Sequence, residues 1–416
     1  MLFIYGSLTI GGIETFFVRM AKQRKLDGLD TTVLLLSKPK ESDDELLSEM
    51  KKYAEVYFYF DIFHWPQFLI KSMPLLAAVK KEKLNDIFKK VDQIHVSDGE
   101  LALLGYRFIN LLELAIPISV GFYNPVKFSW GGDRVKYYEK INREFVLNYL
   151  PKSLLALFSK NNLELYNSLK NVDITGANTF RLGVVDLKTA ELENNDTNSS
   201  ALKICSVGRL LEYKTYNFYM VDIIYNLINK GLDVEYHIYG EGDFKPKLLK
   251  KIKALGLDKN VKLMGDLPYS MFNTTVASYD LFIGSGTAII QASSLGVCSI
   301  VGIEKVDKPI TYGFFSEVYE YEYNILNLDL PTLGVEKLII DFINSNSKDK
   351  LLLKKAHLNC IYPFTNENCA KLMNDLNTIR MPVKKFKYNS FFHQITKNID
   401  TLYIKISKNH PRNSRK

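Results

Sequence analysis

The stretch GSGTAIIQASSLG, Gly284 to Gly296, follows a short apolar run, Leu281-Phe282-Ile283. It reads as the end of a buried strand, a turn of small residues and a helix opening at Thr287. Amides at such a helix start lack partners within the helix and attract anions, phosphate above all. The same turn also reads as a tight connection in an α/β protein with no ligand, so the rest of the chain decides.

Working outward, short apolar runs alternate with longer amphipathic stretches. The candidate strands of the first half are Leu2–Tyr5, Thr32–Leu36, Val56–Phe60, Gln93–Val96, Pro117–Phe122 and Leu154–Phe158. A polar stretch, ELENNDTNSS from Glu191 to Ser200, interrupts the pattern. Alternation resumes with Leu202–Val207, Val234–Tyr239, Val261–Met264, Leu281–Ile283 and Ser299–Gly302. Strand–helix alternation argues for α/β architecture with parallel sheets. The expected fold is two Rossmann-like doubly wound domains facing a cleft, with ligands at the carboxyl ends of the strands.

The bulk charge excludes one class of partner. The net charge is +8, and the segment from Lys384 to Lys416, with nine Lys/Arg against Asp400 alone, accounts for all of it. The folded body is neutral, so no basic face for nucleic acid is indicated. Phe386, Tyr388, Phe391 and Phe392 interleave with the basic residues. Such a tail suits an anionic membrane surface, or it is a solvated end; both readings stand. The four cysteines lack close metal-ligand spacing, and Cys205 and Cys298 sit in apolar runs, which suits a reducing cytosol. No apolar run reaches 18 residues and no signal peptide is read, so the expected place is cytoplasmic, at most peripheral on the inner face of the cell membrane.

Five strand-end segments carry chemistry. Gly11-Gly12-Ile13-Glu14 puts two glycines before a helix, where the backbone can approach a ligand. Val207-Gly208-Arg209-Leu210-Leu211-Glu212-Tyr213-Lys214 follows the first strand of the second half. There Arg209 offers a fork for two phosphate oxygens and Lys214 a mobile point charge. Tyr239-Gly240-Glu241-Gly242 and Val261-Lys262-Leu263-Met264-Gly265 are strand ends breaking into glycine. The opening stretch is the fifth. None has the G-x-G-x-x-G spacing of a dinucleotide site.

In this order the segments resemble the GT-B glycosyltransferases, the large retaining group 1 (family 4) type. The family's V-G-R-L…K-G is matched by Val207 to Leu210 and Lys214, with Thr215 in place of the usual glycine. Its Y-G-x-G is matched at Tyr239–Gly242, its V-x-F-x-G at Val261–Gly265, and its E-A-m-a-x-G-x-P-v-I at Gln291–Ile300. The family's G-G-x-E is matched at Gly11–Glu14. The resemblance implies an acceptor domain at 1–186, a linker at 187–200 and a donor domain at 201–362. It also implies a helix at 363–380 that crosses back, with the basic aromatic tail at 381–416.

It further implies a nucleotide diphosphate sugar as donor substrate, a UDP-sugar first among them, with no metal and no separate cofactor. Arg209 and Lys214 would hold the leaving diphosphate. Gly11, Gly12, Gly208, Gly240, Gly265, Ser285, Gly286, Thr287 and Ala288 would line the donor, and Gln291 would meet the ribose. Two departures stand out. Ile283 occupies the place of a usual sugar-contacting glutamate, and the family's His has its nearest counterpart in His95, at another strand's end. The acceptor is expected to be a glycan or lipid-linked molecule in cell-surface polysaccharide synthesis. The aromatic cluster Tyr57–Phe60 with Phe63–Lys71 reads as core or as a face for such an acceptor. A nucleotide-sugar epimerase of the same fold and a non-catalytic glycosyltransferase-like subunit are the alternatives.

Overall fold

Leu2 and Ile4 lie in one apolar cluster of buried residues while Phe3 lies in another. Leu281 and Ile283 likewise separate from Phe282. Such alternation marks strands covered by helices on both faces. A computed structural model describes residues 1–9, 11–124, 127–169, 172–186, 201–326, 328–407 and 410–411. The expected linker, 187–200, lies outside them.

The chain divides into two units, one of residues 1–183 with 366–416, the other of residues 184–365. In the first, β1 (Leu2–Tyr5), β2 (Thr32–Leu35), β3 (Glu55–Phe58), β4 (Ile94–Val96), β5 (Ile118–Phe122), β6 (Leu155–Leu157) and β7 (Asn178–Thr179) form one parallel sheet, ordered β3-β2-β1-β4-β5-β6-β7. The second holds β8 (Leu202–Val207), β9 (Val234–Tyr239), β10 (Val261–Gly265), β11 (Leu281–Gly284) and β12 (Cys298–Val301), ordered β10-β9-β8-β11-β12 and also parallel. Both are doubly wound, and strand order reverses between β1 and β4 and between β8 and β11. The loops leaving those strands diverge to opposite faces, which opens a crevice at each carboxyl edge.

Three boundaries differ from the sequence reading. The strand expected over Val56–Phe60 stops at Phe58, because the Asp61 carboxylate accepts the Phe58 amide (2.8 Å) and starts a helical turn over Tyr59–Ile62. The first unit ends at Gly183 rather than at 186, since the amides of Val184 and Val185 both bond the Phe364 carbonyl (2.8 and 3.3 Å). The helix expected at 363–380 to cross back runs over Asn366–Asn374; it belongs to the first unit and packs on the helix Gly12–Leu26.

The segment read as a solvated or membrane-bound tail folds onto the first unit. Phe386 and Tyr388 pack against its core, with the Phe386 ring 5.1 Å from that of Phe145 and 5.2 Å from that of Tyr149. A helix follows over Ser390–Ile406, its start capped by Asn389, whose side chain accepts the Phe392 amide. Of the aromatic cluster, Phe58, Tyr59, Phe63 and Ile70 are core, and Phe60 and Phe68 are exposed.

Candidate active site

The switch point of the second sheet brings the loop after β8 beside the loop after β11. Arg209 stands exposed on the first loop, and Lys214, half-buried, folds back towards it. The Lys214 ammonium lies over Gly208, so close that a Cβ there would sit 2.9 Å from Nζ. Burial pushes the Lys214 pKa down; the Glu304 carboxylate opposes this and the Arg209 charge adds to it.

Glu304 is the acid that sequence reasoning missed. It follows β12 by three residues, and Ser285 at the start of the helix Gly286–Ser293 donates its hydroxyl to Glu304 Oε1 (2.6 Å). The segment carrying it is strapped on two sides. Thr215 Oγ1 donates to the Val306 carbonyl (2.6 Å) and accepts the Val306 amide (3.2 Å). The Lys305 amide bonds the Tyr213 carbonyl (2.7 Å), with Lys305 in the left-handed region at φ 60°. Thr215, which stands where the resembled family has glycine, is therefore the residue that ties down the loop carrying Glu304. The local signal available was an acid after Gly302-Ile303 at a strand's carboxyl end.

The helix opens at Gly286, one residue before the expected Thr287. The Gly286 amide, expected to face phosphate, is already bonded to Asn324 Oδ1 (2.9 Å), and Asn324 also accepts the Glu304 amide through its carbonyl (2.7 Å). Thr287 is exposed and Ala288 half-buried at the helix start, where the macrodipole favours an anion. Gln291, half-buried on the same helix, lies 3.5 Å from Asn273 Oδ1, a long contact that a ligand could replace.

Two of the expected donor glycines have their amides bonded to backbone carbonyls. The Gly208 amide bonds the Tyr239 carbonyl (3.0 Å) and the Gly240 amide the Gly265 carbonyl (2.7 Å), so neither points a free donor at a ligand. Gly240, at φ 131°, has the Gly208 carbonyl oxygen 2.1 Å from where a Cβ would be. These glycines let three neighbouring loops touch. Gly265, at φ 76°, ends the bulged strand β10.

In the first unit a cavity of about 520 Å³ opens at the carboxyl ends of β1, β2, β4 and β5. Its walls carry Glu14, Glu41, Asp98 and Glu100 against Lys71 and Lys127. The charges are largely paired on the wall. Glu41 accepts from Gln67 (2.6 Å) and Lys71 (2.8 Å), and Lys127 stands 3.8 Å from Asp98. Asp98 also caps the helix Gly99–Leu111 by accepting the Leu101 amide (2.9 Å). Tyr5 and Thr9 donate to Glu14 Oε1 (3.1 and 3.3 Å). Ser37, at 1% exposure, lines the cavity with a hydroxyl that has no bonding partner.

Gly11 is half-exposed, with the Glu14 carboxylate 2.4 Å from where its Cβ would be. Gly12 has open space beside it. His95 corrects its expectation as well. It is wholly buried in β4 and bonds Ser119 Oγ (2.8 Å) and the Tyr123 hydroxyl (2.7 Å). Burial lowers its pKa to about 3, so it is a neutral group. It cannot touch a substrate; it positions Tyr123, which lines the cavity.

No family model matches the chain, and no curated protein matches it in sequence. Solved structures do match. A glycosyltransferase of Rickettsia africae is 16% identical over 91% of this chain and 97% of its own, with a TM-score of 0.60. HepE of Anabaena, solved with UDP and glucose, is 15% identical over 91% of this chain and 100% of its own, at 0.57. S. aureus TarM, solved with UDP, Fondaparinux and alpha-GlcNAc-glycerol, is 12% identical over 91% and 99%, also at 0.57. At such identities the likeness speaks of architecture: two parallel, helix-covered sheets in one chain, the GT-B fold of the glycosyltransferases.

Proposed function

We propose that the protein is a glycosyltransferase that moves a sugar from a nucleoside diphosphate donor, a UDP-sugar first among them, onto a glycan or lipid-linked acceptor of cell-surface polysaccharide. The reading places it in the cytoplasm, on the inner face of the membrane. The observation that carries it is the gathering of Arg209, Lys214, Glu304 and the start of the helix Gly286–Ser293 at the second sheet's switch point. That set is built for a leaving diphosphate: two cations, helix-end amides and one acid.

In the proposed reaction the bond from the anomeric carbon to the diphosphate oxygen breaks, and a bond from the acceptor oxygen to that carbon forms. The acceptor's proton passes to the departing phosphate oxygen, so no protein nucleophile is required and the configuration is retained. Arg209 and Lys214 stabilise charge as it develops on the diphosphate, a role worth several kcal/mol in comparable sites, roughly 3–4 for one donor. Gln291 meets the ribose hydroxyls, and a neutral amide both donates to and accepts from a diol. Glu304 takes the place of the glutamate that Ile283 displaces, accepting a hydroxyl of the donor sugar. No metal is needed, because the cations supply the positive charge.

Nucleotide release across common sugar donors, with and without a glycan acceptor and with a chelator, tests this. Acceptor-dependent release that survives the chelator is expected. Absence of calorimetric binding to every nucleoside diphosphate would overturn the enzyme reading. The carboxylates of the first unit's cavity favour one competitor, an epimerase. Inversion of the donor sugar with no acceptor present would select it.

A further inference from the structure

The helix Ser390–Ile406 is turned inside out. Its polar residues face the first unit: His393 bonds Asn142 Oδ1 (2.9 Å), Gln394 donates to Glu100 (2.8 Å) and accepts the Leu75 amide (3.3 Å), and the Tyr138 hydroxyl donates to Asp400 (2.8 Å). Lys397 joins this face, bonding Glu100 and the Lys71 carbonyl (2.7 and 3.1 Å). His393, Gln394 and Asp400 are at most 2% exposed.

Its apolar residues face out. Phe391 is 61% exposed, Phe392 49%, Ile399 55%, Leu402 59%, Tyr403 48% and Ile406 82%. At ~100° per residue they share one arc of roughly 120°, opposite the buried polar side. A helix that only had to dock on the protein would bury these residues and expose the others. The polar face is bonded and fixes the helix; Phe392 rests on the Tyr137 ring and Tyr403 on that of His410, while Phe391, Ile399, Leu402 and Ile406 stay exposed among the described residues.

The charge around the stripe identifies what covers it. Lys384, Lys385, Lys387 and Lys405 are exposed, and the one acid from 381 to 407, Asp400, is buried and bonded. An apolar arc on a segment whose exposed charges are all cationic fits the headgroup–acyl boundary of an anionic lipid bilayer. A symmetric second copy would set the lysines against their own counterparts.

We infer that the outward face of the Ser390–Ile406 helix docks on an anionic membrane surface, with Phe391, Ile399, Leu402 and Ile406 entering the interface and Lys384, Lys385 and Lys387 meeting the headgroups. This deepens the proposed use of a membrane-borne acceptor by assigning the surface that brings the enzyme to it. Docking is through a rigid helix held at Glu100 and Tyr138. The bonds from Lys397 and Gln394 also fix it beside Lys71–Leu75, next to the segment carrying the exposed Phe68.

The test is sedimentation of the full chain with vesicles of phosphatidylglycerol and phosphatidylcholine, beside vesicles of phosphatidylcholine alone. Binding to the anionic vesicles is expected at least tenfold above the neutral ones, and lost by at least tenfold in a variant combining Ile399→Asp, Leu402→Asp and Ile406→Asp. Lys384→Glu with Lys385→Glu should weaken binding several-fold and flatten its dependence on salt. All these residues are exposed, and circular dichroism confirms that the fold is kept. Unchanged vesicle binding in the triple variant, or no preference for anionic lipid, would overturn the inference. So would lipid-free self-association abolished by the same variant, since a second copy would then own the stripe. Nucleotide release with a soluble acceptor should be unaltered in the triple variant. Loss of release in the parent protein would strike the transferase reading and leave the vesicle result to stand by itself.

Discussion

At the carboxyl end of β8 the candidate site comes from loops whose glycines let backbone approach backbone. At the carboxyl end of β1 it comes from side chains on four loops far apart in the sequence. The Gly208 amide bonds the Tyr239 carbonyl and the Gly240 amide that of Gly265, which ties together the loops beside Arg209 and Lys214. The first unit's cavity instead collects Glu14, Glu41, Asp98 and Tyr123, each fixed by a bond to a different element. The same strand order thus yields a site of cations and amides in one unit and a site of paired acids and hydroxyls in the other. A leaving diphosphate fits the first chemistry and a neutral polyhydroxyl group the second.

The sharpest way to break this contrast is in the second unit. Replacing Arg209 or Lys214 by Ala should lower transfer by about 10²–10³-fold while the circular dichroism spectrum is unchanged. Comparable rates in both variants would remove the diphosphate role. Glu304→Gln should cost about tenfold and shift the pH profile as well. Glu304 raises the Lys214 pKa against the lowering by burial and by Arg209, so without it Lys214 deprotonates at lower pH. The alkaline limb of the profile should move to lower pH, and an unmoved limb would separate the two residues.

Acid tests the first unit. Burial lowers the pKa of His393 to about 4 and that of His95 to about 3, from ~6.5 when the chain unfolds. Each imidazole is neutral when folded and takes a proton on unfolding, so stability is full above about pH 6.5. It should fall towards pH 4 by about 1.4 kcal/mol per pH unit per imidazole, read as thermal unfolding across that range. His393→Asn should remove part of that slope. A smaller effect separates the two units. Asp98→Ala removes a helix cap and should lower stability by about 1 kcal/mol with donor binding unaltered in calorimetry. The smallest is Ser37→Ala, expected to raise the acceptor KM about threefold with kcat kept, since it removes one unpartnered hydroxyl from the cavity wall.

The contrast also explains what was legible. Positive φ together with close approach can be met only by glycine, so Gly208 and Gly240 leave marks that order alone reveals, even though their amides bond backbone carbonyls. A carboxylate that works by convergence leaves no local mark. Glu304 reaches Ser285 because Thr215 and Tyr213 strap its loop, a contact across about 90 residues. His95 looked available at a strand's end, yet β1 and β5 flank β4 and enclose it.

The sequence by itself determined the two parallel, doubly wound sheets, since periodicity and turn residues are local properties that each segment carries alone. It also determined that the excess positive charge gathers after residue 383. Tertiary structure decided which groups meet: Glu304 with Ser285, Tyr123 with His95, and the polar face of the Ser390–Ile406 helix with Glu100 and Tyr138. The last decided the fate of the basic end. Its apolar residues stay outside because the unit's own polar groups had already claimed the helix's other face, a choice made by hydrogen bonding between distant segments and invisible to any window along the chain.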